Sequence, residues 1–151
     1  MARFSHWLLV IIVITFDQLT KLAVRRSFQI NEYVIIPKFL SLTYITNTGA
    51  SFGILRGMNT LLMIIGLAVV IFLLYYINKS DVQAKTSALA LITGGAISNI
   101  IDRIAYGHVI DFINFSFWPA FNIADSAITI GIGILIIQHL REKLNRASTP
   151  K

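Results

Sequence analysis

Met58 to Ile77 is a run of twenty residues without a single charge. As a helix rising about 1.5 Å per residue it reaches ~30 Å, the thickness of a bilayer's hydrocarbon core. Lipid offers no partner to a backbone N–H or C=O, so a segment of this kind spans as a helix or belongs to a closed barrel. The rest of the chain agrees with helices. Hydrophobic residues make up 56% and charged residues 13%, whereas a soluble domain carries about 25% charged residues. The chain is an integral membrane protein.

Three further spans follow from the pattern. Trp7 to Val24 is apolar except for Asp17, Gln18, Thr20 and Lys21. Its uninterrupted part, Trp7 to Phe16, has the length of a signal-peptide core, but no small-x-small site follows and the apolar pattern resumes at Leu22, so it reads as a retained span. Thr86 to Ile101 carries Ala90, Gly94 and Ser98 four apart, a ridge of small residues that admits a neighbouring helix closely. Ile123 to Leu140 completes the set. The expected fold class is membrane all-α, one domain over 1–151, with spans at about 7–24, 58–77, 86–103 and 123–141. Residues 28–57 differ. Leu40, Leu42 and Tyr44 alternate with Ser41 and Thr43, between Pro37 and Asn47-Thr48-Gly49. That period of two, bounded by turn residues, predicts a small β-structured insert lying on the membrane. Residues 104–122 are expected as an extramembranous loop.

The net charge of +6 invites comparison with nucleic-acid binding. Most of the bases sit in short flanks and loops, so topology and anionic headgroups account for them, and no nucleic-acid partner is expected. With four spans both termini share a side. That side holds Arg3, Lys79, Lys85, Arg141, Lys143, Arg146 and Lys151, against Lys21, Arg25, Arg26, Lys38, Arg56 and Arg103 opposite. The bias puts both termini in the cytoplasm. There is no cysteine, which excludes disulfides, thiolate metal sites and a cysteine nucleophile. His6, His108 and His139 have no zinc-like spacing, and no phosphate-cradling glycine loop is present, so neither metal nor cofactor is expected.

The polar residues inside the apolar pattern converge. Asp17 comes late in the first span, Asn99 and Asp102 late in the third, and Asn122 and Asp125 at the start of the fourth. Successive spans alternate direction, so all lie at one membrane face, on this topology the outer one, together with Asn47 and Asp111. A charge at mid-bilayer costs at least ~2.5–3.5 kcal/mol on insertion scales, and residues that persist against such a cost mark functional sites.

Each has a plainer reading beside the functional one. Asp17 and Lys21, four apart, suit a neutralised ion pair whose lysine snorkels to the headgroups, or a direct part in substrate contact. Asn99, Asp102 and Arg103 share one helix face, where Arg103 either steadies Asp102 or holds a substrate backbone. Asn122 with Asp125 resembles a capping box. Asp111 has no such account. Its neighbours Val109, Ile110, Phe112 and Ile113 are apolar, and the run Phe112 to Phe121, bent by Pro119, reads as an aromatic loop dipping toward the bilayer. That loop brings Asp111 near Asp125. Two carboxylates in one site cannot both ionise cheaply, so one keeps a proton. One then takes a proton from water while the other gives one to a carbonyl oxygen. A proton or ion carrier is the competing class, but it calls for polar residues spread through the membrane depth. A structural assembly subunit explains the small-residue ridge but not the acids.

Five blocks taken together resemble the signature blocks of prolipoprotein signal peptidase, or signal peptidase II. They are Asp17-Gln18-Leu19-Thr20-Lys21, Asn47-Thr48-Gly49-Ala50-Ser51-Phe52-Gly53, Ser98-Asn99-Ile100-Ile101-Asp102-Arg103, Gly107-His108-Val109-Ile110-Asp111-Phe112 and Phe121-Asn122-Ile123-Ala124-Asp125-Ser126. Order, spacing and the four-span layout match over nearly the whole chain. The family is a bacterial inner-membrane aspartic peptidase that cuts diacylglyceryl-modified prolipoproteins just before the lipidated cysteine. The resemblance implies that Asp111 and Asp125 are the catalytic pair. Asn47, Asn99, Arg103 and Asn122 would support substrate and oxyanion, and Asp17, Lys21, Gly49, Asp102 and Ala124 the structure. It implies lipidated prolipoproteins and membrane lipids as partners. The insert corresponds to the family's β-cradle and the aromatic loop to its periplasmic helix or flap. Ser98 stands where the family has glycine and Ser51 where alanine is common, both small enough for close packing. A monomer is expected, since one chain carries every motif.

Overall fold

The computed structural model describes residues 2–27, 32–50, 54–79 and 82–147. Four helices, α1 (Ala2–Ser27), α2 (Asn59–Lys79), α3 (Gln83–Tyr106) and α4 (Ile123–Ala147), are each long and apolar enough to cross a membrane. They run past the apolar runs that announce them, because backbone hydrogen bonding continues into polar flanks such as Lys143–Arg146.

α3 is the hub. It packs against α1, α2 and α4, and its small residues Ala88, Ala90, Thr93, Gly94, Gly95 and Ser98 are buried. A Cβ on Gly94 would fall 2.9 Å from Cβ of Val13 on α1, and one on Gly95 would collide with the carbonyl oxygen of Ala124 on α4. Adjacent glycines thus let two helices approach α3 from different sides. Ala90 meets Val10 of α1 and Ile77 of α2 in one cluster. The small-residue ridge is therefore filled within the chain. Dispersion and close backbone approach hold such a bundle, since lipid supplies no hydrophobic drive between helices. A Gly95→Ala substitution is expected to push the first turn of α4 outward. Overpacking of this kind costs about 1–3 kcal/mol. Thermal unfolding in detergent should show a melting point lowered by several degrees, and an unshifted one would contradict the closeness of α3 and α4.

The β structure is larger than an insert between the first two helices. β1 (Tyr33–Ile36) and β2 (Leu40–Asn47) come from that connection, as the alternation predicts, with residues 28–31 and 51–53 of the expected span lying outside the described residues. Two more strands, β3 (Val109–Phe115) and β4 (Trp118–Phe121), come from residues read above as a dipping aromatic loop. All four form one antiparallel sheet in the order β1-β2-β3-β4. Asn47 pairs with Val109, Ile45 with Asp111 and Leu40 with Phe115. Pro119 is tolerated because β4 is an edge strand. Phe39, Phe115, Phe117 and Phe121 pack ring on ring at one end of the sheet, with centroids 5.5–6.1 Å apart. There Ser116 N–H and Oγ donate to the carbonyl oxygens of Phe39 and Lys38. The sheet joins two connections that lie far apart in sequence and roofs one end of the bundle.

Candidate active site

At that end, polar side chains from α1, α3 and α4 meet the sheet. Asp17 and Lys21 lie one turn apart on α1 and pair at 2.7 Å. Lys21 does not snorkel, being 1% exposed. Its ammonium also reaches Asp102 at 2.8 Å and Oδ1 of Asn99 at 3.0 Å. Arg103 therefore leaves Asp102 to Lys21. It donates instead to Oδ1 of Asn59 and to the carbonyl oxygen of Gly49, at 3.1 and 2.8 Å.

Asp17 and Asp102 play matching parts. Asp17 accepts the backbone N–H of Ala124 at 2.8 Å, and Asp102 that of Ile110 at 3.0 Å. Those are the residues directly before Asp125 and Asp111. A single buried ammonium thus clamps two carboxylates, each of which holds the chain one residue ahead of a site aspartate. The hydroxyl of Ser98 donates to Asp17, and the amide of Gln18 donates to Asp102 and to Ser98. Each acid therefore finds a partner for both its oxygens, which makes such deep burial tolerable.

Asp111, in β3, is 2% exposed. Its oxygens accept amide hydrogens from Asn47 at 2.9 Å and Asn122 at 2.7 Å. Each carboxylate oxygen has a second lone pair left for another partner. Burial pushes the Asp111 carboxyl up to about 7, the charge of Asp125 adds to the rise, and the two amides pull the other way by less. Asp125, in the first turn of α4, accepts from the amide of Asn99 at 2.9 Å and from the Asn122 backbone N–H at 3.3 Å. The Asp125 N–H returns a bond to Oδ1 of Asn122 at 2.8 Å. The capping box is therefore real, and it does not exclude the functional reading. The Asn122 side chain caps α4 with its oxygen and holds Asp111 with its nitrogen, tying the two acids together. Gly49 donates its N–H to Oδ1 of Asn47, orienting the amide that meets Asp111.

Both acids line an open cavity of about 1440 Å³ under the sheet, with Asn47, Asn99, Arg56 and Arg103 in its wall. Among the described residues, no cluster of His, Cys, Asp or Glu is arranged to hold a metal ion. Asn59 and Gln18 were not singled out from sequence. Each is a polar residue near the end of an apolar run, and Gln18 also falls inside the first signature block. The arrangement can share one proton between two carboxyl groups and hold water beside a bound amide.

A model of the family described as "Signal peptidase (SPase) II" matches residues 9–141. A lipoprotein signal peptidase of Halothermothrix orenii is 43% identical over 133 residues, covering 87% of this chain and 92% of its own. One from Paraburkholderia phymatum is 43% identical over 147 residues, covering 91% and 89%. A bacterial membrane enzyme solved by the in meso method at 2.3 Å superposes with a TM-score of 0.89 at 35% identity, covering 97% of this chain and 94% of the other. A second, at 1.9 Å, gives a TM-score of 0.80 at 38% identity, covering 90% and 92%. With a matched family model spanning most of its length and relatives this similar, the chain belongs to the signal peptidase II family.

Proposed function

We propose that Asp111 and Asp125 are the catalytic pair of an aspartic endopeptidase that cuts diacylglyceryl-modified prolipoproteins N-terminal to the lipidated cysteine. Family membership supports the peptidase and its substrate class. The observation that carries the site assignment is the joint presence of two carboxyl groups from separate elements in one cavity, linked through Asn122. The pair holds one proton between them. The ionised partner takes a proton from water, whose oxygen attacks the scissile carbonyl, while the protonated partner gives its proton to the carbonyl oxygen. Arg103 and the amides of Asn99, Asn122 and Asn47 keep the acids and the substrate backbone in place and favour the charge that develops on that oxygen. The acyl chains lie between the helices and the bilayer.

The active protein is a monomer in the cytoplasmic membrane, with both termini in the cytoplasm and the site near the outer face. The distribution of Lys and Arg supports that orientation. The buried charged groups Asp17, Lys21, Asp102 and Asp111 all lie at one end of the bundle, which disfavours an ion path through the membrane.

Cleavage of a synthetic precursor by the purified protein tests the reading. The lipidated form is cut before its cysteine and the unlipidated form is spared. The Asp111 proton, held up to about pH 7 by burial and by Asp125, is lost as pH rises further. The pair then carries two charges and no acid, so kcat/KM falls on the basic side of about pH 7. Cleavage at another bond, or a rate flat from pH 6 to about pH 9, counts against it.

A further inference from the structure

The connection between β2 and α2 folds back onto the turn that holds Asp111. Ala50 N–H donates to the Ile54 carbonyl at 2.7 Å, and Met58 N–H to that of Leu55 at 3.1 Å. A Cβ on Gly49 would fall 2.7 Å from the Ile54 oxygen and 3.3 Å from the Arg56 nitrogen. The Arg56 backbone is therefore seated against Gly49, whose N–H orients Asn47, whose amide holds Asp111. Two left-handed residues bracket it, Leu55 at φ 58° and Gly57 at φ 79°. Glycine adopts that conformation freely, but for leucine it is strained, and such strain gathers at ligand clamps and active sites. The backbone is bent to put Arg56 where it is.

Arg56 is exposed and lines the cavity at its rim. Two of the five N–H donors of the Arg103 guanidinium go to Asn59 and Gly49, which hold it deeper beside the acids. Arg56 pairs with no carboxylate among the described residues. Among the described residues, the acids in the cavity wall are Asp111 and Asp125. The rim therefore presents a cation, on a seated stretch of backbone, to whatever chain lies in the cavity.

We propose that Arg56 is a specificity-determining residue that receives an acidic side chain of the substrate polypeptide, from the segment that follows the lipidated cysteine. The inference rests on the peptidase reading above. A signal peptide is apolar ahead of its cleavage site, so the segment before the cut lies along the helices, near Thr129 and Ile130 in the cavity wall. The segment after the cut runs outward, past the β2–α2 connection. An exposed pair is weak and salt-sensitive, so its effect is a graded preference.

The test uses lipidated peptides that differ in one residue, with Asp, Asn or Lys at each position after the cysteine in turn. They are cleaved by the wild-type protein, Arg56→Gln and Arg56→Glu in nanodiscs of zwitterionic or anionic lipid. The ratio of kcat/KM between peptides is read within each variant, so any general loss of activity cancels. At one position the wild type favours Asp over Lys by about tenfold, mainly through KM, and less at high salt. Arg56→Gln erases that ratio and Arg56→Glu inverts it. The same ranking in all three proteins overturns the proposal and leaves the peptidase reading standing. So does an effect of Arg56 that follows the charge of the lipid and not of the peptide. Failure of the wild type to cut any lipidated peptide overturns the peptidase reading, and this inference with it.

Discussion

Asp111→Asn and Asp125→Asn are each expected to lower turnover of a lipidated precursor by at least about 10³-fold, while the protein still folds. Asparagine keeps the shape of the side chain but can neither accept the proton of the attacking water nor donate one as an acid. The loss is expected to be non-additive. Each acid works only with the other, so the double substitution should lie close to the worse single one. Folding should survive with some weakening. Asp111 faces amide donors from Asn47 and Asn122, and Asp125 faces Asn99 and the Asn122 N–H. An amide can accept only one of each pair and turns its own NH2 toward the other. A mismatch of that kind costs about 1–3 kcal/mol. Thermal unfolding beside a single-turnover cleavage assay separates the two effects. Near-normal turnover in either variant would remove that residue from the chemistry.

Lys21→Met carries the largest expected loss of stability. It keeps the length of the side chain and removes the cation that Asp17 and Asp102 share at 2.7 and 2.8 Å. Breaking a buried ion pair from one side costs about 3–5 kcal/mol, because the partner is left buried and unmatched. Here two partners are left. That approaches the whole stability of an ordinary domain, about 5–15 kcal/mol. The variant should be recovered in low yield, melt far below the wild type and show no cleavage. Adding Asp102→Asn to Lys21→Met removes one stranded charge and should restore part of the melting point. An unchanged melting point in Lys21→Met would mean that the triad does not hold the fold.

The helices were legible because lipid imposes one rule on every residue it touches. Met58–Ile77 could be read from its lack of charge alone, and α1 could be read through Asp17 and Lys21 because the apolar pattern resumes beyond them. β2 was legible from its bounded alternation. β3 was not. Val109, Ile110, Asp111 and Phe112 are all buried in succession, so no period of two marks the strand. Its partner lies in another connection, and local pattern carries no trace of a pairing such as Asn47 with Val109. The site shows the same limit. Asp111 stood out because an acid among apolar neighbours needs a reason. Asn122 and Asp125 were covered by a capping box, and the same Asn122 side chain also donates to Asp111. Which partners Lys21 and Arg103 would choose depended on how α1 and Gly49 lie against α3, and spacing along one helix does not encode that.

The sheet that spans two connections also sets a timetable for synthesis. Asp17 and Lys21 are neighbours on one turn, so α1 can enter the bilayer as a self-neutralised segment as soon as it leaves the ribosome. Asn47, in contrast, has to wait for Asp111, 64 positions later. β2 stays without its central partner until α2 and α3 are both inserted. A nascent chain holding only the early spans has neither the cleft nor the two acids that line it, so proteolytic competence comes late, once the last helix is in place.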